Sequence, residues 1–195
     1  MPQRLVLASG NAGKARELTQ LLGARWSLVL QRELGIASIP ETGTTFAANA
    51  LLKARHAASS SGLPALADDS GLEVDALHGE PGVYSARYAG PDASDADNVA
   101  KLLAALAGVP AAQRSARFHC VLALLRHVDD PEPIVVSGVW EGSIALAPSG
   151  GSGFGYDPVF IDGASGRTAA ELSAADKNRV SHRGQALARL HAALE

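Results

Sequence analysis

Between Arg4 and Leu22 the hydrophobic pattern changes period, and that change limits most strongly what the chain can fold into. Arg4 to Ala8 is a short apolar run of the kind that forms a buried strand, and Ser9, Gly10 and Asn11 break it. From about Gly13, Leu18, Leu21 and Leu22 fall at helical spacing, with Gly23 as the stop. A strand that runs through a glycine turn into a helix belongs to a mixed α/β architecture.

The rest of the chain keeps that mixture. Val29 and Leu30 start a second strand, followed by loop to Gly43. Thr45 is a suitable N-cap for a helix from Phe46 to about Ser60, closed by Gly62 and Pro64. Ala65 to Ala67 reads as a short strand that turns at Asp68, Asp69, Ser70 and Gly71. Leu72, Val74 and Ala76 then alternate with Glu73 and Asp75 as in a half-exposed strand. Gly79 to Gly90 reads as loop, and Ser94 or Asp95 caps a helix that presents Val99, Leu102, Leu103 and Leu106 on one face. Ala116 to Leu124 alternates as a long strand, Asp129 to Pro131 turns the chain, and Ile134 to Ala147 returns as its hairpin partner. Pro148 to Gly155 is a glycine-rich loop before a strand at Val159 to Ile161. Thr168 with Glu171, and Ser173 with Asp176, have capping-box spacing, and Ser181 caps a final helix bearing Leu187, Leu190 and Leu194. Residues 1–195 read as one domain, with two lobes and a partly antiparallel sheet.

Bulk properties narrow the function. No run approaches 18 apolar residues, so no membrane span is expected, and the apolar stretch before Ser9 is too short for a signal peptide. Cys120 is the only cysteine and sits in an apolar run, which predicts a buried thiol and a cytoplasmic protein. A net charge of −3 argues against a nucleic-acid polymer as partner. Most cations are arginine; the lysines are Lys14, Lys53, Lys101 and Lys177, and a compact point charge suits some of those positions.

Several segments carry residues suited to chemistry. Ser9-Gly10-Asn11-Ala12-Gly13-Lys14 lies where a strand feeds a helix, so free backbone N–H groups and Lys14 attract an anion. It is not a Walker A loop: the GxxxxGK[ST] spacing is absent, and Ala15 has no hydroxyl for Mg²⁺. Glu41 precedes a helix on which Asn49 and Lys53, four residues apart, share a face; a solvated polar edge has the same appearance. Asp68 and Asp69 point to opposite faces if they lie on a strand, so one of them faces a given site. An acid there suits a hard cation, a general base or an Asx-turn. Ser70 is a poor nucleophile candidate because GxSxG is absent. Gly153 to Asp157 lets backbone approach a ligand and offers Phe154 as a stacking face, or else forms a tight turn with core aromatics. Lys177 and the helix start at His182 and Arg183 offer donors to phosphate or to a carbonyl oxygen.

In combination and order, SGNAGKARE, ETGTTFAANALLKARHAA, ADDSGLEVDAL, GVYSARYAG, GFGYDPVF and SHRGQAL resemble the inosine triphosphate pyrophosphatase family in its bacterial branch, from Ser9 to Leu187. The resemblance implies an elongated, two-lobed α/β fold: a long mixed β-sheet, flanking helices and a central nucleotide cleft. It implies Mg²⁺-dependent cleavage of ITP, dITP and XTP to monophosphate and pyrophosphate by a homodimer. In that scheme Ser9, Gly10, Asn11, Ala12, Gly13 and Lys14 hold the triphosphate, Lys53 adds positive charge and Ser70 touches the substrate. Glu41 and Asp69 serve Mg²⁺, and Asp69 is also the proton acceptor for water, either directly or through the metal. Phe154, Gly155, Tyr156 and Asp157 form the base pocket, completed by Lys177, His182 and Arg183. Pro40 and Ala48 stand where many relatives carry acids, which leaves the full metal-ligand set open. The rivals are a Maf-type pyrimidine nucleotide pyrophosphatase and a non-catalytic nucleotide-binding regulator. The GFGYD and SHR segments favour a 6-oxopurine over the first, and Asp69 with Glu41 favours an enzyme over the second.

Overall fold

The structure is a computed structural model that describes residues 3–22 and 26–195. β1 (Gln3–Ala8) leads into α1 (Ala12–Leu22), as the change of period predicts. The stop expected at Gly23 and the side chain of Leu21 lie outside the described residues. Then follow β2 (Trp26–Leu30), α2 (Phe46–Ser61), β3 (Ala65–Val74), α3 (Asp95–Ala105), β4 (Ser115–Leu125), β5 (Ile134–Ile144), β6 (Phe160–Asp162), α4 (Ala174–Val180) and α5 (His182–Ala193). The strands form one six-stranded open sheet in the order β2-β1-β3-β4-β5-β6. β1 pairs in parallel with β2 and β3, whereas β5 and β6 are antiparallel, so the sheet is mixed.

The helix boundaries follow the caps in the sequence. Thr45 accepts a hydrogen bond from the Ala48 amide, and Gly62 closes α2 in the left-handed region at φ 69°. Ser94 and Asp97 form a capping box at α3. Ser173 caps α4 by accepting from the Asp176 amide, and the Thr168–Glu171 box opens a short 3₁₀ turn. Two readings need correction. β3 runs unbroken through Asp68, Asp69, Ser70 and Gly71, where a turn is expected from the sequence. Both carboxylates find cations on the two faces of the strand, so neither has to close a turn on its own backbone. The stretch expected as loop before Gly90 contains a 3₁₀ helix, Gly82–Arg87. The Ser85 hydroxyl there accepts from the Leu72 amide and donates to the Gly82 carbonyl, which ties the turn to β3.

The chain divides into two compact units. The first comprises Met1–Asp69, Cys120–Gly138 and Arg183–Glu195; the second comprises Ser70–His119 and Val139–His182. In the first unit β1 is buried on both faces from Leu5 to Ala8, which is why it reads as a continuous apolar run. Leu5, Leu7, Leu66, Leu122 and Leu124 pack with α1 and α5 through Leu18, Leu22, Leu187 and Leu190. Val6, Ala8, Ala65, Ala67 and Ala123 meet the small-residue face of α2, Ala50, Ala54, Ala57 and Ala58. In the second unit Phe118, Trp140, Phe160 and Tyr156 form an aromatic core with Leu72, Val74, Leu102 and Leu106. Among the described residues no helix is long and apolar enough to cross a membrane.

Candidate functional site

The turn between β1 and α1 is built by its own side chains. Ser9 Oγ accepts from the Asn11 amide at 3.2 Å, and Asn11 Oδ1 accepts from the Lys14 amide at 3.0 Å. This is an N-cap made by asparagine, and it leaves the exposed residues Gly10 to Ala12 at the start of a helix. The Lys14 ammonium lies 2.5 Å from Asp68 Oδ1.

Asp68 and Asp69 serve opposite faces of β3, as strand geometry requires. Asp68 shares its face with Leu66 and is fully buried. There it meets Lys14 from α1 and Arg183 from α5, whose Nε donates at 2.9 Å. The Cys120 thiol donates to the same carboxylate at 3.2 Å, so the expected buried thiol is observed. Arg183 continues the chain of alternating charge to Glu17. Burial opposes the charge on Asp68, yet Arg183 and Lys14 hold its carboxyl well below the usual carboxylate range. Asp69 instead faces α2. Lys53 Nζ lies 2.7 Å from Asp69 Oδ1 and 2.7 Å from Glu41 Oε1. Burial pushes the Asp69 carboxyl above its usual range; Lys53 pulls it back in part, and Glu41 adds to the rise. Burial works against the charge of Lys53, but Asp69 and Glu41 leave its ammonium above the usual lysine value.

Two carboxylates therefore meet at a single ammonium. Hard oxygens converging on one cation are a donor set for Mg²⁺, which is commonly held by one or two carboxylates together with substrate phosphates. Glu41 and Asp69 fit that set. Among the described residues no group of three His, Cys, Asp or Glu side chains gathers as an all-protein metal cage.

The second unit carries the aromatic loop. Asp157 organises it: its carboxylate accepts from the Phe154 amide at 2.8 Å and from Lys177 Nζ at 2.6 Å. Gly153 sits at φ 82°, and a Cβ there would collide with the Asp157 carboxylate. The Gly155 amide donates to Asp95 Oδ2 at 2.7 Å, which links the loop to the start of α3. Phe154 is half-buried, with the Lys177 ammonium 4.9 Å from its ring centroid. Beside this loop, Phe154, Pro148 and Pro158 line a groove with Val99 and Leu103 of α3, about 510 Å³ in volume. The Tyr156 ring lies in the core, its hydroxyl donating to the Ser85 carbonyl at 2.8 Å. The His182 ring is buried and stacked on Phe118 at 4.8 Å.

The structure thus brings Lys14 with Arg183, Glu41 with Lys53 and Asp69, and Phe154 with Asp157 and Lys177. Ser70 is half-buried on β3 directly after Asp69. Arg183, expected beside the base, is bonded to Asp68 and Glu17 in the first unit. Sequence reasoning missed Glu17 and Asp95. Glu17 had a signal, three residues after Lys14 on the same helix; Asp95 had none, because its partner Gly155 is 60 residues away.

The chain matches the Ham1 family over residues 5–193. A protein of Yersinia pseudotuberculosis described as a dITP/XTP pyrophosphatase is 61% identical over 95% of this chain and 94% of its own. One of the same description from Xanthomonas oryzae is 59% identical over 96% of this chain and 95% of its own. The solved structure of a HAM1 protein from Coxiella burnetii superposes with a TM-score of 0.89 at 50% identity, over 98% of each chain.

Proposed function

Because the chain belongs to the Ham1 family, we propose that it hydrolyses noncanonical purine nucleoside triphosphates, ITP, dITP and XTP, to the monophosphate and pyrophosphate. The observation that carries the reading is the meeting of Glu41 and Asp69 at Lys53. Glu41 and Asp69 would hold Mg²⁺, which when bound would supply charge cancellation at the phosphate oxygens. A triphosphate carries about four negative charges at neutral pH, so cations at its phosphates matter most. Ser9 to Lys14 offer helix-start amides and the Lys14 ammonium, and Lys53 adds a second positive centre. Asp69 accepts the proton of the attacking water, either directly or through the metal it would hold. Ser70 follows it on the strand as a substrate contact.

Base choice belongs to the loop of the second unit. Phe154 stacks on the purine, and Gly155, Tyr156 and Asp157 shape the loop, with the Tyr156 side chain acting from the core. Stacking accepts any base, so discrimination comes from the purine edge. A 6-carbonyl accepts from donors such as Lys177 or His182, whereas the 6-amino group of adenine faces them donor to donor. The geometry favours Lys177, whose ammonium already lies over Phe154; Arg183 acts by holding Asp68. We also read the chain as a cytoplasmic homodimer; sedimentation of the purified protein tests the dimer.

The test is a panel of triphosphates incubated with enzyme and Mg²⁺, with the phosphate product identified. Pyrophosphate is expected, with kcat/KM for ITP at least roughly 100-fold above ATP, since mispaired buried polar groups discriminate on that scale. Asp69→Asn should lower kcat on the order of 100-fold or more while the fold survives. Orthophosphate as product, or equal turnover of ITP and ATP, overturns the reading.

A further inference from the structure

α2 carries more than Lys53 on its working face. Asn49 lies one turn earlier on that face and is fully buried. Its Oδ1 accepts from the Gly43 amide at 2.7 Å. That contact fixes the orientation of the amide, because an N–H needs the oxygen opposite it. The Nδ2 group is left buried with no hydrogen-bond partner among the described residues. An unpartnered buried donor is a cost in stability that an apolar side chain at position 49 would avoid. What such a side chain would lose is the hold on Gly43.

Gly43 is fitted to this contact from the other side. A Cβ at position 43 would lie 2.6 Å from Asn49 Oδ1 and 2.9 Å from the Ala48 Cβ. Its backbone lies outside the left-handed region, so glycine serves close approach here and not an unusual conformation. Glu41 is two residues upstream, in a segment without regular structure that reaches the N-cap Thr45. The bond from Gly43 to Asn49 therefore ties the Glu41 segment to the helix that carries Lys53.

We infer that Asn49 is a positioning residue for the metal arm: it holds the Glu41–Gly43 segment on α2, so that the Glu41 carboxylate arrives where Asp69 also arrives. The inference rests on the reading that Glu41 and Asp69 hold Mg²⁺.

The experiment measures binding of a non-hydrolysable ITP analogue, with methylene between the α and β phosphorus atoms, as Mg²⁺ is titrated. Wild type, Glu41→Ala, Asn49→Ala and the double variant are compared, with melting in the absence of Mg²⁺ as the fold control. Asn49→Ala should raise the Mg²⁺ concentration for half-saturation by roughly 10-fold, the scale on which groups that orient metal ligands act. Analogue affinity at saturating Mg²⁺ should stay within about twofold, and Asn49→Ala should add nothing once Glu41 is gone. Gly43→Ala, which pushes the segment off from the loop side and leaves the interior of α2 untouched, should produce the same shift and decides the matter if Asn49→Ala does not fold. Additive losses in the double variant overturn the inference. So does an unchanged half-saturation in Asn49→Ala and Gly43→Ala when Glu41→Ala weakens Mg²⁺, and the metal reading then stands. If Glu41→Ala itself leaves Mg²⁺ dependence unchanged, the metal reading fails and the inference fails with it.

Discussion

The charged groups around Asp68 are held by one another, whereas the loop that carries Phe154 is held by its backbone amides bonding to the Asp157 and Asp95 carboxylates. In the first unit Glu17, Arg183, Asp68 and Lys14 alternate in sign, with Asp68 and Arg183 withdrawn from water. Asp68 is shared by Lys14 and Arg183, so its removal strips a buried partner from two cations at once. In the second unit a single buried pair, Asp157 with Lys177, sits inside a turn whose other bonds come from the Phe154 and Gly155 amides. A network fixes positions rigidly and fails as a unit; a turn can be loosened locally.

The largest effect should follow from breaking the network. Asp68→Ala removes the buried carboxylate that Lys14 and Arg183 share, and should lose about 3–5 kcal/mol of unfolding free energy in urea. A loss below about 1 kcal/mol would place Asp68 among ordinary surface pairs and dissolve the contrast. Gly153→Ala should cost less, about 1–3 kcal/mol, because it sets a side chain at positive φ against the Asp157 carboxylate. Its kinetic signature should be a raised KM for ITP with kcat within about twofold; an equal fall in kcat would tie the loop to the chemical step. Phe154→Ala should leave melting nearly unchanged and lower kcat/KM for ITP and XTP alike by roughly tenfold, the scale of one lost base stack. The smallest effect belongs to a pair with one partner in water. Arg126 is half-exposed and grips the Asp130 carboxylate, which also accepts from the Arg126 and Glu132 amides. Arg126→Ala should cost the least of these at neutral pH, because water screens the exposed guanidinium. Its side-chain hydrogen bond holds the Asp130 carboxyl below the usual range. The contribution is therefore complete above that range and disappears as pH falls through the lowered value, so melts of wild type and variant should converge on acidification.

Local chemistry was legible in the sequence and long-range pairing was not. Thr45 and Gly62 set the ends of α2 because a cap acts within one turn, and the Ser94, Thr168 and Ser173 signals act at the same range. The opposite facing of Asp68 and Asp69 is simple strand geometry. The expected turn at those acids was misplaced because what keeps β3 extended comes from elsewhere: Arg183 is 115 residues from Asp68. Spacing likewise cannot show whether an arginine at a helix start reaches a ligand or a buried carboxylate, nor that the Tyr156 ring turns into the core while Phe154 next to Gly155 stays half-buried. Asn49 was visible as a neighbour of Lys53, but its bond to Gly43 needed the path of the intervening loop.

The parallel ladder sets Leu7 of β1 against Leu66 and Ala8 against Ala67, and so decides which acid faces which helices. Assignment of the two aspartates is then a matter of parity. Insertion of one codon between Pro64 and Asp68 would slide the dipeptide by half a pleat, turning Asp69 toward Arg183 and Asp68 toward Lys53. Two inserted codons would return each carboxylate to its original side, one step further along the strand. Along this stretch the gene is read in triplets, but the chemistry is read in pairs.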